Sequence, residues 1–387
     1  MERYIAKLKK EGLVTDNICF LNANNDAVCR GSVANIATEL KAVRQMLAVD
    51  SILLAMPDEP YRTILNYFTD IGDASICPND SESKTILQIL PVVSEFDVQT
   101  VFSVLKQAKS IIIPNVGIVS YGKSNSSQAY VIFSAVCFSL LVKFLVDILK
   151  ANKRCEVSDN QKKVLQKIMP FFYDLPRNIL PALMKGPFTN KQDAKEAIIE
   201  AGERIVSLKL VNSFFGNISY LFNDILLISK TGSFLDELAN DIVEVSPVKP
   251  KNADSIASSE LPAHREIISQ NMAGTVLHGH PIFAVVMSLV CDDDGCKFSD
   301  NCSQRCPYER FICDIPIVSG EIGGGKFGLD KTVPIKLKNN KGVIVYGHGV
   351  FCVGKNDFEI PLQSMLEIET LCRAEYLKKM QKLVLEV

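Results

Sequence analysis

One short pattern occurs twice in this chain, at a nearly constant separation. The matched pairs are 37–44 with 258–265 and 57–60 with 278–281, at an offset of 221 positions, and 105–109 with 337–341, at an offset of 232. Similarity at a fixed separation is the mark of an internal repeat. The sequence therefore predicts a duplicated chain whose two halves share one fold.

Apolar runs of strand length alternate with helical stretches in both halves. Residues 110–113 and 342–346 are two runs typical of buried strands, and their alternation with helices predicts an α/β fold. The 387 residues suffice for two or three domains with their own cores. We expect a first domain over 1–150, a helical connector over 151–190 and a second domain over 191–387. Four prolines interrupt the connector: Pro170, Pro176, Pro181 and Pro187.

The four histidines of the chain all lie in its second half. His278 and His280 are two residues apart, so on a strand both imidazoles can point to one place. His348 follows the buried run 342–346, which can bring a third imidazole from a separate part of the chain. Three neutral nitrogens leave coordination positions open, as in a catalytic zinc site. Ordinary buried or helix-capping histidines are the alternative interpretation.

A carboxylate precedes the histidine pair and can supply the proton chemistry of such a site. Glu260 lies in the segment Ser258-Ser259-Glu260, and we expect it to act as acid and base. His264 comes four residues later, so on a helix it shares a face with Glu260 and orients it or packs beside it.

From about residue 195 to the end, these motifs follow one another in the order of a known family. They are Gly216-Asn217-Ile218-Ser219, the turn Lys230-Thr231-Gly232, Ser258-Ser259-Glu260, His278-Gly279-His280-Pro281 and Gly347-His348. In type and order they resemble the class II aldolase/adducin family, which includes fuculose-phosphate aldolase. The resemblance implies two class II aldolase-like α/β/α domains in tandem, joined by the helical connector.

The same resemblance assigns roles to single residues. It implies that His278, His280 and His348 bind zinc or another divalent metal and that Glu260 is the catalytic acid/base. It implies further that a substrate phosphate is held by Asn217, Thr231, Gly232, Ser258 and Ser259. Short hydroxyls and glycine N–H groups suit a phosphate, although the same segments also fit a plain turn and a helix N-cap.

The expected activity is zinc-dependent aldol cleavage or condensation of a small phosphorylated ketose, through a metal-stabilised enediolate. The same metal-enolate scaffold also serves dehydratases and epimerases, which is the first alternative. A non-catalytic, adducin-like binding or scaffold protein is the second alternative, and the intact histidine set argues against it.

The first copy lacks the residues for metal binding. At the positions matching His278, His280 and His348 it has Pro57, Glu59 and Val116, which cannot rebuild a site of three imidazoles. We expect this degenerate copy to supply an interface in place of an identical subunit. A homo-oligomer follows, in which a dimer imitates a four-domain ring.

Five of the twelve cysteines fall in one hydrophilic loop, 291–313, between the histidine pair and His348. Cys291, Cys296, Cys302 and Cys306 are candidates for a second zinc or an iron-sulfur centre, but their spacing matches no standard pattern. Free thiols are the alternative. The absence of a secretory signal favours reduced cysteines over disulfides.

The composition limits the kinds of partner and the cellular location that we expect for this protein. The formal net charge is −2 and no basic tract is present, so nucleic acid is not expected as a partner. The apolar segment 129–142 is too short to cross a bilayer. We therefore expect a cytoplasmic protein without a membrane partner, acting on a small phosphorylated sugar or hydroxy-ketone.

The glycine-rich segment 320–328 is interpreted as a mobile loop beside the site, with Glu321 and Lys326 as substrate contacts.

Overall fold

The chain divides into two compact units in this computed structural model. The first comprises Met1–Asp174 with Lys382–Val387, and the second comprises Leu175–Gln381. The structure describes residues 1–385 apart from 25, 174–181, 213, 249–251 and 294. The connector prolines Pro176 and Pro181 lie outside the described residues.

The first unit combines helices with one five-stranded sheet. Its helices are α1 (Glu2–Lys10), α2 (Ala37–Leu47), α3 (Tyr61–Asp70), α4 (Ser81–Leu87), α5 (Val98–Leu105), α6 (Ser126–Lys153), α7 (Asp159–Ile168) and α8 (Pro170–Tyr173). Its strands are β1 (Val14–Asn22), β2 (Ala27–Arg30), β3 (Ser51–Pro57), β4 (Ser75–Ile76), β5 (Leu90–Pro91), β6 (Ser110–Ile113) and β7 (Gly117–Gly122). The sheet has the order β2-β1-β3-β7-β6, and β4 pairs with β5 separately.

The second unit is built on an eight-stranded sheet. Its helices are α9 (Lys191–Ser207), α10 (Leu261–Asn271), α11 (Ile282–Ser288), α12 (Leu329–Leu337) and α13 (Glu359–Leu385). Its strands are β8 (Asn217–Phe222), β9 (Ile225–Ser229), β10 (Ile242–Val245), β11 (Thr275–Gly279), β12 (Arg310–Ile312), β13 (Ile315–Val318), β14 (Gly342–Val345) and β15 (Gly349–Gly354). Their order is β10-β9-β8-β11-β15-β14-β13-β12, and only β13 and β14 pair in parallel.

Helices cover both faces of the second unit's sheet. On one face, Ile267 of α10 and Val333 of α12 belong to one buried cluster with Val276 of β11. On the other face, a Cβ atom added to Gly279 would lie 2.9 Å from both Ile205 of α9 and Met365 of α13. The class II aldolase-like α/β/α arrangement expected from the sequence is therefore present in this unit.

The most apolar segment forms a longer helix than the sequence indicated. The predicted apolar run, 129–142, lies within α6, which extends over 28 residues from Ser126 to Lys153. The apolar run alone is too short to cross a bilayer, as expected, but the flanking turns also adopt helix and make α6 longer. By length and composition α6 could cross a membrane, but 89% of its most apolar window is buried inside the protein. A buried core helix meets the same test.

One pair of cysteines departs from the expectation of reduced thiols. Cys19 and Cys29 face each other across β1 and β2 and form a disulfide. Directly opposed residues of an antiparallel pair bring their Cβ atoms close together, which sequence spacing alone does not reveal.

The five-stranded sheet of the first unit shares its strand order with five strands of the second unit's sheet. The order β2-β1-β3-β7-β6 corresponds to β9-β8-β11-β15-β14 when the strands are taken in chain order within each unit. In each unit a helix precedes the central strand, β3 or β11, and a long helix follows the last hairpin.

Helix α9 approaches the backbone at Leu235 closely, and Gly202 lies at the point of contact. A Cβ atom at Gly202 would lie 2.0 Å from the carbonyl oxygen of Leu235. Gly→Ala within a helix normally stabilises by about 0.5–1 kcal/mol. We predict that Gly202→Ala instead lowers the free energy of unfolding by about 1–3 kcal/mol, as overpacking does. Urea denaturation measures this, with the exposed Glu203→Ala in the same helix as the control.

Candidate active site

Three imidazoles meet at one end of the second unit's sheet. His278 is in β11, His280 follows its last residue, and His348 lies in the turn between β14 and β15. One ring nitrogen from each lies within 4.8 Å of the others. All three residues are at most 2% exposed. The two segments are brought together because β11 pairs with β15, with His278 opposite Phe351.

Glycines allow the backbone to approach the rings this closely. A Cβ atom at Gly349 would lie 2.9 Å from both His278 Cε1 and His280 Cδ2. Gly347 has φ +61°, a left-handed conformation that lets the chain turn sharply before His348. The ring of His280 stacks on Phe215 and that of His278 stacks on Phe351. An imidazole stacked on a buried aromatic ring has little freedom to turn away.

The Nε2 atoms of His278 and His280 point towards each other. Nδ1 of His278 donates to the carbonyl oxygen of Val350 at 3.0 Å, which leaves a lone pair on Nε2 in the neutral ring. That atom lies 3.0 Å from Nε2 of His280. Nδ1 of His280 has no hydrogen-bond partner among the described residues.

These contacts fit a divalent cation. Zinc bound tetrahedrally at 2.0–2.1 Å separates its nitrogen ligands by about 3.3 Å. The Nε2 atoms of His278 and His280 are 3.0 Å apart, and the ligand atoms of all three histidines lie within 4.8 Å of one another. Burial lowers the pKa of His278 to about 4 and that of His280 well below its usual value, so both rings are neutral at pH 7. Neutral imidazole is the form that binds metal.

Glu260, the N-cap residue immediately before α10, faces the histidines. Its Oε1 accepts a hydrogen bond from Nε2 of His348 at 2.6 Å, and its Oε2 lies 3.4 Å from Nε2 of His278. Nδ2 of Asn217 donates to Oε2 at 2.9 Å. Burial alone would raise the pKa of Glu260, but the imidazoles of His278 and His348 and these hydrogen bonds outweigh it and lower the pKa. The carboxylate is ionised at neutral pH.

A buried chain of hydrogen bonds fixes the orientation of Glu260. Nε2 of His264 lies 2.5 Å from Oδ1 of Asn217, and Nδ1 of His264 lies 2.7 Å from Oγ of Ser219. Because Asn217 donates to Glu260 through Nδ2, its Oδ1 must accept from Nε2–H of His264, whose Nδ1 then accepts from Ser219. Burial lowers the pKa of His264 to about 3, so this neutral tautomer persists at pH 7. His264 thus orients Glu260 through Asn217.

Comparison with known proteins gives a match over the part of the chain that carries these residues. The family described as Class II Aldolase and Adducin N-terminal domain matches residues 196–376. Residues 196–376 form a class II aldolase/adducin domain. The matched range contains Glu260, His278, His280 and His348.

Solved structures with a partial likeness to the chain include three aldolases. L-fuculose-1-phosphate aldolase from Thermus thermophilus is 20% identical, with a TM-score of 0.40, over 50% of this chain and 98% of that one. L-fuculose 1-phosphate aldolase from Glaciozyma antarctica is 15% identical, with a TM-score of 0.36, over 51% and 78%. Sugar-phosphate aldolase from Thermotoga maritima is 18% identical, with a TM-score of 0.35, over 49% and 96%. No curated protein matches the chain. The family assignment rests on the match over 196–376.

The phosphate-site candidates of the class II aldolase domain fall into two sets. Thr231 and Ser258 are brought together by a β-bridge between Lys230 and Ala257, and Thr231 N–H donates to the carbonyl oxygen of Ile256 at 3.0 Å. Gly232 and Ser259 are exposed beside them. Ser258 is buried and its Oγ accepts from Glu260 N–H at 3.3 Å. Asn217, in contrast, uses both atoms of its side-chain amide within the buried chain.

The glycine-rich segment of the class II aldolase domain lies against the Glu260 turn. A Cβ atom at Gly323 would lie 3.7 Å from Ser259 O, and one at Gly324 would lie 3.7 Å from Pro262 Cβ. Lys326 is exposed, with its ammonium 5.1 Å from the ring of Phe327. Glu321 accepts a hydrogen bond from Nε2 of Gln304 at 2.6 Å.

The cysteine loop does not form a second set of ligands at metal-binding separation among the described residues. Cys296, Cys302 and Cys306 are free thiols. Burial raises the pKa of Cys302, and the charges of Cys306, Cys296 and Cys291 raise it further, so these three cysteines lie within electrostatic range of Cys302. In the part of the chain that the structure describes, the histidine triad is the one set with ligand atoms close enough to share an ion. A second centre stays a prediction.

Two residues beside the triad were missed from the sequence. Glu369 of α13 accepts the N–H groups of Phe283 and Ala284, and Ser288 accepts the N–H of Gly347. The sequence gives only a weak indication of Glu369, which is a charged residue between the apolar residues Ile368 and Leu371 of α13. Tyr376 of α13 is fully buried against Phe283, and burial raises its pKa.

The hydrogen-bond chain predicts strong coupling between Asn217 and His264. Asn217→Ala leaves His264 Nε2–H and a Glu260 oxygen unpaired where water is excluded, which costs about 1–3 kcal/mol. We expect His264→Ala to cost a similar amount and the double variant to cost clearly less than the sum. A double-mutant cycle by urea denaturation measures this. Additive effects would show that the two side chains act independently.

Proposed function

We propose that the second unit is a divalent-metal-dependent lyase that performs aldol cleavage or condensation on a small phosphorylated ketose. The observation that carries the proposal is the convergence of His278, His280 and His348 on one point, with the carboxylate of Glu260 beside them. The match of residues 196–376 to the class II aldolase/adducin family supports it.

The three histidines would hold the metal, and zinc suits a set of neutral imidazoles. When bound, such a cation acts as a Lewis acid that polarises a carbonyl oxygen of the substrate. The close approach of the Nε2 atoms of His278 and His280 supports this assignment. The burial of all three rings supports it as well, because it excludes competing water, and His278 and His280 are neutral at pH 7.

Glu260 would move the proton. In the condensation direction, the carboxylate accepts the proton of the carbon next to the ketone, and the electron pair left on that carbon attacks the aldehyde carbon. The aldehyde oxygen keeps the electron pair of the C=O bond and takes up a proton from water. In cleavage the order is reversed, and Glu260 returns the proton to the same carbon. Asn217 and His264 hold the carboxylate in place through their hydrogen bonds. A base with a low pKa is effective here only beside a group that acidifies the carbon–hydrogen bond.

The substrate phosphate would bind at the exposed turn beside Glu260. Thr231, Gly232, Ser258 and Ser259 provide hydroxyl and backbone N–H donors, and the β-bridge brings their two segments together. Asn217 supports the catalytic carboxylate rather than the phosphate, since both ends of its amide are already bonded.

We also propose that the chain arose by tandem duplication and that its first unit has lost the site. The shared strand order of the two sheets supports this, together with the sequence repeat. In the first unit Glu39, which matches Glu260, is exposed. Glu59, which matches His280, accepts from Arg62 and Thr63.

Glu260→Gln tests the catalytic assignment. The zinc-loaded enzyme is offered a panel of phosphorylated ketoses of four to six carbons, and the products are identified by mass spectrometry. We expect the wild type to release an aldehyde and a smaller phosphorylated ketone, and Glu260→Gln to lower kcat by about 10²–10⁴-fold because the amide accepts no proton.

Glu266→Gln is the matched control, since Glu266 is exposed on the same helix. Metal content is measured for every variant. Loss of water or inversion at one carbon would assign the chemistry to a dehydratase or an epimerase. Full activity of Glu260→Gln, or no turnover by the metal-loaded wild type on any substrate, would contradict the proposal.

A further inference from the structure

Helix α11 begins immediately after the histidine pair without a capping side chain of its own. Pro281 is its N-cap residue and makes no side-chain hydrogen bond. The first N–H groups of a helix have no partner within it, and in a buried position they need one from elsewhere. Phe283 and Ala284 are both buried, so water does not serve them.

The carboxylate of Glu369 meets this need from a distant part of the chain. Its Oε1 accepts from Phe283 N–H and its Oε2 from Ala284 N–H, each at 3.0 Å. Glu369 is 4% exposed. Burial of a carboxylate is costly. The cost is offset only because each of its two oxygens accepts a hydrogen bond from an N–H group at the start of a helix. The contact fixes the position of the first turn of α11, three residues after His280.

The other end of α11 is tied to the third histidine. Ser288, the last residue of α11, accepts from Gly347 N–H at 2.8 Å and donates to Val285 O at 2.7 Å. Gly347 precedes His348, and Ser288 is fully buried. One helix of seven residues therefore connects the segment of His280 to the segment of His348.

We propose that Glu369 and Ser288 are positioning residues which, through α11, set the separation between the imidazoles of His280 and His348 and thereby the affinity of the site for a divalent cation. The inference rests on the proposed metal-binding function. It adds a specific claim, that a carboxylate 89 positions beyond His280 in the chain controls metal binding without contacting the metal.

A purely structural role for Glu369 would give a different result. If the carboxylate only stabilised α11, its loss would lower the melting temperature and leave the cation affinity of the folded protein unchanged. If it sets the geometry of the triad, cation affinity falls even where the protein remains folded. The two roles are separated by an affinity measured well below the melting temperature.

The experiment is a competition titration of zinc against a chromophoric chelator, with the full chain. In Glu369→Gln the amide oxygen still accepts one N–H, while its NH₂ group opposes the other. We expect zinc affinity to fall by about 10–100-fold, as for other residues that support metal ligands. Ser288→Ala removes the hydrogen bond to Gly347 at the opposite end of α11, and it should also lower the zinc affinity.

Glu367→Gln on the same helix is the matched control, because Glu367 is half exposed and pairs with Lys341 at 3.4 Å. Its zinc affinity should equal that of the wild type. Circular dichroism confirms folding, and Ser288→Ala decides the question if Glu369→Gln does not fold. Folded variants that bind zinc as tightly as the wild type would overturn the inference while leaving the proposed function intact. A wild type that binds no zinc would overturn both.

Discussion

The close contact between the Glu260 carboxylate and the surrounding imidazoles is the interaction on which the second unit's architecture depends. A buried carboxylate and three buried rings are all costly to remove from water. Their cost is offset only where each polar atom has a partner at the right distance, and a cation among the rings would complete the set. Ser219, His264 and Asn217 supply such partners behind Glu260, and Val350 supplies one behind His278.

Backbone geometry makes this contact possible. The pairing of β11 with β15 brings two segments some 70 residues apart in the chain to one place, and glycines remove the side chains that would keep them apart. Helix α11 then holds the two histidine segments at a fixed distance, with Glu369 and Ser288 at its ends. The site is thus built on strand ends and one short helix, which are more rigid than loops. The outer turn at Thr231 and Ser259 is exposed and suits substrate entry.

The sequence was sufficient to predict the participants of the site but not all of their partners. The spacing of His278 and His280 and the buried strand before His348 predicted that three rings meet, since strand periodicity and burial are local properties. Asn217 was assigned to phosphate because its motif suggests that role, yet its amide faces Glu260 and His264. Glu369 was missed because its partners are backbone N–H groups, which leave no trace in side-chain patterns. The full length of α6 and the disulfide between Cys19 and Cys29 likewise depend on tertiary neighbours and strand register.

The most direct test of the account is the metal content of the protein purified without added chelator, beside a His278→Ala/His280→Ala double variant. The metal content of both proteins is measured by elemental mass spectrometry after reconstitution with zinc and removal of loosely bound ions. The account predicts one divalent ion per chain in the wild type and none retained by the double variant, because a single remaining imidazole with Glu260 cannot hold it. Equal metal content in the two proteins would place the ion elsewhere, and no metal in the wild type would contradict a metal-dependent lyase.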